Sequence, residues 1–294
     1  MTYVILWEEP QQYISGVATD VGPSLAEFQG KIYAAWKGGN GNENIWYSSY
    51  DGTSWSGQEP IQGFLSSVGP SLAVFQGKLY AAWKGSEGDE GIWYSSYDGT
   101  SWSAQKQIQG IASSVGPSLA VFQDKMYAAW KGSTGDEGIW YSSYDGTSWS
   151  GQKQIQGVLS SVGPSIAVLQ GNLFAAWKGG NGDESMWHAS YNGTSWSGQQ
   201  QMQGASSVGP RLVGFKDVYP VIVAMWKGMD SDESIWYSLT YDGVTWGEQR
   251  PVLDIATSVG PAMTNSNGWI YAAWKGAGND DKIWWIRGLI EQIQ

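Results

Sequence analysis

The sequence predicts an all-β fold, a six-bladed β-propeller in which each blade is a four-stranded antiparallel sheet. The first observation is a sixfold repeat, since Val-Gly-Pro recurs at intervals of 47, 47, 47, 46 and 51 residues. The second is a pair of tryptophans ten residues apart in every repeat, the first of them within Trp-Lys-Gly. A period in the forties with several short strand-like runs is typical of propellers. We therefore expect a single domain over residues 1–294.

The third observation is composition. The chain has 20 Trp, 16 Tyr and 41 Gly, which suits aromatic strands joined by glycine-rich turns. In the second repeat the pattern predicts strands at 71–76, 78–84, 92–97 and about 102–108. The Asp-Gly pair between the third and fourth of these is a strong hairpin signal.

The N-terminus predicts how the ring closes. Residues 7–10, Trp-Glu-Glu-Pro, resemble the last segment of the first full repeat, and the final repeat lacks that segment. We expect the N-terminal strand to complete the last blade. This arrangement joins the ends of the ring and removes the open sheet edges that would otherwise invite aggregation.

Charge and cysteine content exclude several classes of protein. The net charge is −11, and the three arginines, Arg211, Arg250 and Arg287, form no cluster, so no nucleic-acid partner is expected. Without cysteine there are no disulfides and no thiolate metal sites. No apolar run approaches the length of a membrane span, and none resembles a secretory signal. The expectation is a protein that is cytoplasmic or released without a signal peptide.

The predicted strand order places the functional loops together. The link carrying Val-Gly-Pro, the Trp-Lys-Gly segment and the acidic loop after it fall on one face, beside the gap between blades. Six similar clefts are therefore expected on that face. The fifth repeat has a rewritten inner strand, yet it keeps the lysine, the acid and both tryptophans.

These four residues of each repeat are the candidate ligand-binding residues. An aromatic face, a cation and a carboxylate suit a neutral sugar, whose hydroxyls both donate and accept hydrogen bonds. Packing is the alternative, because paired tryptophans also fill the space between blades and an exposed lysine–glutamate pair adds under about 1 kcal/mol. The candidates are Trp36, Lys37, Glu43, Trp46, Trp83, Lys84, Glu90, Trp93, Trp130, Lys131, Glu137, Trp140, Trp177, Lys178, Glu184, Trp187, Trp226, Lys227, Glu233, Trp236, Trp274, Lys275, Asp281 and Trp284.

Four repeated segments carry a family resemblance: Val-Gly-Pro-Ser, Ala-Ala-Trp-Lys-Gly, Asp-Glu-x-Ile-Trp-Tyr and Tyr-Asp-Gly-Thr-Ser-Trp. The chain resembles the fungal six-bladed propeller lectins over nearly its whole length, and most closely the Agrocybe type specific for N-acetylglucosamine. The resemblance implies non-catalytic binding of terminal non-reducing N-acetylglucosamine near the junctions between blades. Its partners would be glycans and glycoproteins carrying that sugar. Two positions depart from the pattern, Asp281 in place of Glu and Asn42 in place of Asp.

The sequence argues against an enzyme and against a bound metal or cofactor. A glycosidase needs two carboxylates in unlike environments, whereas six near-copies provide six like environments. The acidic loops offer only two adjacent carboxylates beside a lysine, which disfavours calcium. The lone histidine, His188, stands where sister repeats have tyrosine and is interpreted as a strand residue. A protein-interaction scaffold and a propeller glycosidase are the alternatives, and the oligomeric state is undetermined.

Overall fold

Each repeat folds into one antiparallel sheet of a six-bladed β-propeller. The structure is a computed structural model that describes residues 2–216 and 219–293, and these residues form no helix, hence none that could span a membrane. Blades are numbered from the first full repeat, and strands in chain order. Within a blade the strands pair in sequence order, so the first strand is innermost and the fourth is outermost.

The strand bounds repeat from blade to blade. Blade 1 contains β3 Ser24–Phe28, β4 Lys31–Lys37, β5 Asn44–Tyr50 and β6 Glu59–Leu65; blade 2 contains β7 Ser71–Phe75, β8 Lys78–Lys84, β9 Gly91–Tyr97 and β10 Lys106–Ala112. Blade 3 contains β11 Ser118–Phe122, β12 Lys125–Lys131, β13 Gly138–Tyr144 and β14 Lys153–Leu159; blade 4 contains β15 Ser165–Leu169, β16 Asn172–Lys178, β17 Ser185–Tyr191 and β18 Gln200–Ala205. Blade 5 contains β19 Arg211–Gly214, β20 Ile222–Lys227, β21 Ser234–Thr240 and β22 Arg250–Ala256; blade 6 contains β23 Ala262–Ser266, β24 Trp269–Lys275 and β25 Ile283–Ile293, with β1 Thr2–Trp7 and β2 Gln12–Tyr13.

The N-terminal strand completes blade 6, as the sequence predicts. Strand β1 pairs with β25 from Thr2 opposite Ile293 to Trp7 opposite Gly288. Strand β2 then pairs with the start of β25. Val4 and Ile5 are buried by this pairing, so the closing strand contributes apolar packing as well as backbone hydrogen bonds.

The predicted fourth strand is wrong in position. In blade 2 the strand is Lys106–Ala112, and Trp102 makes only an isolated bridge to Tyr97. The reason is a structured turn, in which the Asp98 carboxylate accepts the backbone N–H groups of Thr100 and Ser101. Because these bonds hold the chain in a tight turn, the strand ladder resumes only several residues later.

Side chains of one blade alternate between its two neighbours. In blade 2, Trp83 packs in a cluster with Ile45 and Ile61 of blade 1, and Trp93 packs against the same cluster. Ile92 lies in a different cluster that contains Trp130 of blade 3. This alternation is the period of two of a strand, and it decides which cleft each candidate residue enters.

The lone histidine makes the stability of the fold depend on pH. His188 is 3% exposed on β17, it packs edge-on against Trp246, and its Nε2 has no hydrogen-bond partner in the described part of the chain. Burial lowers the pKa of His188 from 6.5 to about 4. Between these two values the unfolded chain binds a proton that the folded chain does not. Stability therefore falls as the pH drops through this window.

We expect the substitution His188→Tyr, which introduces the tyrosine found at this position in sister repeats, to remove this pH dependence. Both proteins are compared at pH 7 and pH 4.5. Between these values the unfolding free energy of the wild type should fall by about 2–3 kcal/mol more than that of the variant. Urea unfolding at the two pH values measures the difference. Equal losses in both proteins would show that His188 does not titrate in this way.

Candidate ligand clefts between the blades

The three predicted loop segments do lie together on one face. In blade 2, the Ser66 hydroxyl is hydrogen-bonded at 2.7 Å to the carbonyl oxygens of both Val68 and Lys84. Ser67 Oγ contacts the carbonyl of Gly85 at 3.0 Å. The link that enters a blade is thus tied to its Trp-Lys-Gly segment, next to the gap between blades.

The first tryptophan of each repeat is a core residue. The six indoles of Trp-Lys-Gly are 0% or 1% exposed, which leaves no ring face for a ligand. The expectation that these residues stack on a sugar is therefore corrected, and packing between blades is their role. They are Trp36, Trp83, Trp130, Trp177, Trp226 and Trp274.

The second tryptophan of each repeat is half-buried, and in five of the six repeats a hydrogen bond from its indole N–H fixes its orientation. In blade 3, Trp140 Nε1 donates to Asp136 Oδ2 at 2.8 Å. The same bond, at 2.7 or 2.8 Å, joins Trp93 to Asp89, Trp187 to Asp183, Trp236 to Asp232 and Trp284 to Asp280. Blade 1 differs, because Asn42 accepts instead from the backbone and side-chain amides of Asn44, beside Trp46. Each of these indoles presents part of its surface beside the gap between blades.

The glycine of Trp-Lys-Gly makes room for this aspartate. A Cβ at Gly132 would overlap the Asp136 carboxylate, and the same holds for Gly85 and Asp89. The aspartate also accepts the backbone N–H two residues later, as Asp136 does from Gly138 at 2.8 Å. The loop is thus built around a carboxylate that holds the indole in place.

The lysine of each repeat is mostly buried. Its exposed fraction is 5–8%, and Lys84 Nζ donates to Ser67 Oγ at 2.9 Å and to the Gly85 carbonyl at 3.3 Å. Lys227 Nζ also reaches the carbonyls of Asp230 and Asp232. These lysines therefore tie the entering link to the loop, and little of the ammonium is left for a ligand. The group comprises Lys37, Lys84, Lys131, Lys178, Lys227 and Lys275.

The acid of several repeats contacts the loop of the following blade. Glu90 of blade 2 accepts the backbone N–H of Thr134, in blade 3, at 3.1 Å and also its hydroxyl. These bonds lower the pKa of Glu90. In the same way Glu137 accepts from the backbone of Asn181, and Glu233 from that of Gly278. Glu184 instead pairs with its own Lys178 at 3.0 Å.

The structure therefore regroups the predicted residues. The acid and the second tryptophan of one blade belong to two different clefts. Contacts across the gap join the acid of one blade to the loop or tryptophan of the next for Glu90 with Trp140, Glu137 with Trp187, Glu233 with Trp284 and Asp281 with Trp46. The repeat predicts the same pairing for Glu43 with Trp93 and Glu184 with Trp236. The cleft between blades 6 and 1 is a cavity of about 420 Å³ whose lining includes Asp281, Asn42 and Trp46, and also Tyr13 and Lys282 at its blade 6 side.

Two groups of residues near the clefts were not among the candidates. One is the aspartate that holds the indole, which stands four residues before the second tryptophan in five of the six repeats. That constant spacing was a usable signal. The other is the outer-strand residue opposite the tryptophan, such as Gln107 opposite Trp93, which varies between repeats and left no signal.

Comparisons with known proteins agree with the architecture. No protein-family model matches the chain, and no curated protein matches it in sequence. Among solved structures, an Aleuria aurantia lectin mutant in complex with α-methyl-L-fucoside is 14% identical, with a TM-score of 0.68 and 96% of each chain covered. A Penicillium chrysogenum α-L-arabinanase complexed with arabinobiose is 14% identical, with a TM-score of 0.65 and coverage of 98% of this chain and 97% of that one.

A mutant Trypanosoma rangeli sialidase with trans-sialidase activity also matches, at 11% identity and a TM-score of 0.64, over 98% of this chain and 58% of the sialidase. At these identities the likeness shows the fold alone. That fold occurs in lectins and in glycoside-cleaving enzymes. The described residues contain no group of three or more histidine or acidic side chains placed to hold a metal ion.

Proposed function

We propose that the protein is a multivalent lectin that binds terminal non-reducing N-acetylglucosamine in the clefts between its blades, without catalysis. One observation carries the proposal. A partly exposed indole whose N–H is held by an aspartate recurs beside the gap between blades, and the acid of the preceding blade contacts the loop that carries it, as Glu90 contacts Thr134 in the loop before Trp140.

This arrangement suits a pyranose ring. The indole offers an apolar face to the ring C–H groups, and the carboxylate accepts hydrogen bonds from ring hydroxyls. Because Asp136 already holds the Trp140 side chain, binding costs less side-chain entropy. The choice of N-acetylglucosamine rests on the sequence resemblance in the Val-Gly-Pro-Ser and Asp-Glu-x-Ile-Trp-Tyr segments.

The ionisation of the cleft carboxyls supports binding rather than glycoside cleavage. A glycosidase needs one carboxyl group with a raised pKa to act as the acid. Hydrogen bonds from Thr134 lower the pKa of Glu90, and the bond from Trp187 lowers that of Asp183. Both groups are therefore ionised acceptors at neutral pH.

Several weak sites on one body suit clustered glycans. One sugar in a shallow cleft is held by few contacts, but simultaneous engagement of several clefts raises the apparent affinity by about 10²–10⁴-fold when the geometry permits. The expected partners are therefore surfaces and glycoproteins that display many copies of the sugar.

Calorimetric titration with N-acetylglucosamine, with fucose and glucose as controls, tests the proposal. We expect saturable heat from the acetamido sugar alone, at a stoichiometry well above one. Heat from none of the three sugars would contradict the specificity and favour a protein-interaction scaffold. Turnover of a chromogenic glycoside would instead identify an enzyme.

A further inference from the structure

The cleft between blades 5 and 6, here the 5–6 cleft, differs from its five sisters beside the tryptophan. Two residues before Trp284 stands Lys282, where the other blades have Asn44, Gly91, Gly138, Ser185 and Ser234. Opposite Trp284 on the outer strand stands Tyr13. At that place the other blades have Pro60, Gln107, Gln154, Gln201 and Pro251.

These two side chains gather over the indole. The Tyr13 ring lies 5.4 Å from the Trp284 ring, in an edge-to-face arrangement. The Lys282 ammonium lies 5.6 Å from the Tyr13 centroid and 5.8 Å from that of Trp284, positioned over both rings. Both distances are within the range of cation–π attraction.

The rest of the cleft follows the common plan. Trp284 Nε1 donates to Asp280 at 2.7 Å, and Asp280 also accepts the backbone N–H of Lys282 at 3.1 Å. From blade 5, Glu233 contacts the backbone N–H of Gly278 at 3.4 Å. The difference is therefore confined to what covers the indole.

We propose that Lys282 and Tyr13 close the 5–6 cleft to the sugar that the other clefts bind. This inference rests on the proposed function. A pyranose needs the indole face for its C–H groups, and here an ammonium lies over the Trp284 ring with a phenol ring packed edge-to-face beside it. Displacing them gives up two cation–π contacts, so the affinity of this cleft for the monosaccharide is about 5–30-fold lower than that of its sisters. Lys282 and Tyr13 thus determine how many clefts are in use.

The indole N–H groups give one NMR reporter per cleft. In ¹⁵N-labelled protein titrated with N-acetylglucosamine, the Trp284 signal is expected to stay in place at concentrations that shift the other five cleft signals. The double variant Lys282→Ser, Tyr13→Gln carries residues from sister blades and should make the Trp284 signal respond. A thermal melt confirms that the variant is folded.

The reverse transplant is the matched control. Ser185→Lys with Gln201→Tyr places the same pair beside Trp187 and should silence that signal alone. A wild-type Trp284 signal that shifts with the others would overturn the inference and leave the lectin proposal intact. The inference would also be overturned if the Lys282→Ser, Tyr13→Gln variant is folded and its Trp284 signal still does not respond to the sugar. If no cleft signal shifts, the lectin proposal fails, and this inference fails with it.

Discussion

Glu90→Gln is expected to weaken sugar binding beside Trp140, in blade 3, by about 10–100-fold and to leave the site beside Trp93, in its own blade, unchanged. The structure places Glu90 against the loop of blade 3, where it accepts hydrogen bonds from Thr134. A hydrogen bond to a charged group contributes about 1.5–3 kcal/mol, so its loss weakens that cleft by about 10–100-fold. Glutamine keeps the shape and can still accept from Thr134, so the fold should persist.

The indole N–H signals of the two tryptophans, each assigned from a Trp→Phe variant, measure this effect during titration with N-acetylglucosamine. Glu87→Gln is the matched control, since it removes the same charge from an exposed position of the same loop. Loss of the response at Trp93 with retention at Trp140 would show that each site belongs to one blade. This outcome would contradict the cleft assignment.

Removal of residues 1–13 is expected to have the largest effect on stability. The deletion removes β1 and β2 from blade 6, and with them the buried side chains of Val4 and Ile5. The apolar surface that these side chains cover becomes exposed, and the 11-residue strand β25 is left as an open sheet edge. Burial of two such side chains alone is worth about 3–6 kcal/mol, comparable with much of the stability of a typical domain. An exposed edge of this length also invites pairing between molecules.

Light scattering after size-exclusion chromatography, together with thermal unfolding, measures the outcome. The expected result is a shift to larger species than the wild type forms, or a fall in Tm of more than about 5 °C. A circular permutant is the control, because Thr2 lies opposite Ile293 and the two ends can be joined directly. With new ends opened between Gly151 and Gln152, the permutant keeps the closing strand and should remain folded. A deletion variant as stable as the wild type would show that ring closure contributes little.

The blade architecture could be predicted from sequence because its signals are local. The recurring Val-Gly-Pro and the tryptophans ten residues apart fixed the number of blades, and the likeness of residues 7–10 to the end of a repeat predicted the closing strand. The fourth strand was misplaced because a predicted hairpin pair, Asp98-Gly99, belongs to a longer turn. The hydrogen bonds that define that turn depend on coordinates.

The composition of the candidate site was predicted only in part. The lysine, the acid and both tryptophans were chosen as candidates because they are kept even in the repeats whose other residues have changed. A residue can be kept for packing as well as for binding, so this criterion does not distinguish the two roles. Trp83 and Lys84 persist since the blade interface and the entering link require them, and both are buried. Only accessible surface distinguishes them from Trp93, which packs on the same cluster but remains partly open.

By itself the sequence determined the repeat, the strands and the one face to which the loops converge. The tertiary structure decided which residues meet. Trp93, on β9, packs on a cluster shared with blade 1, whereas Glu90, in the loop before β9, accepts hydrogen bonds from Thr134 of blade 3, so the two residues face different blades. The order of blades around the ring then places Glu90 beside the loop of Trp140, which lies 50 residues further along the chain. A site formed between two sheets depends on how the sheets pack, and no local pattern encodes that packing.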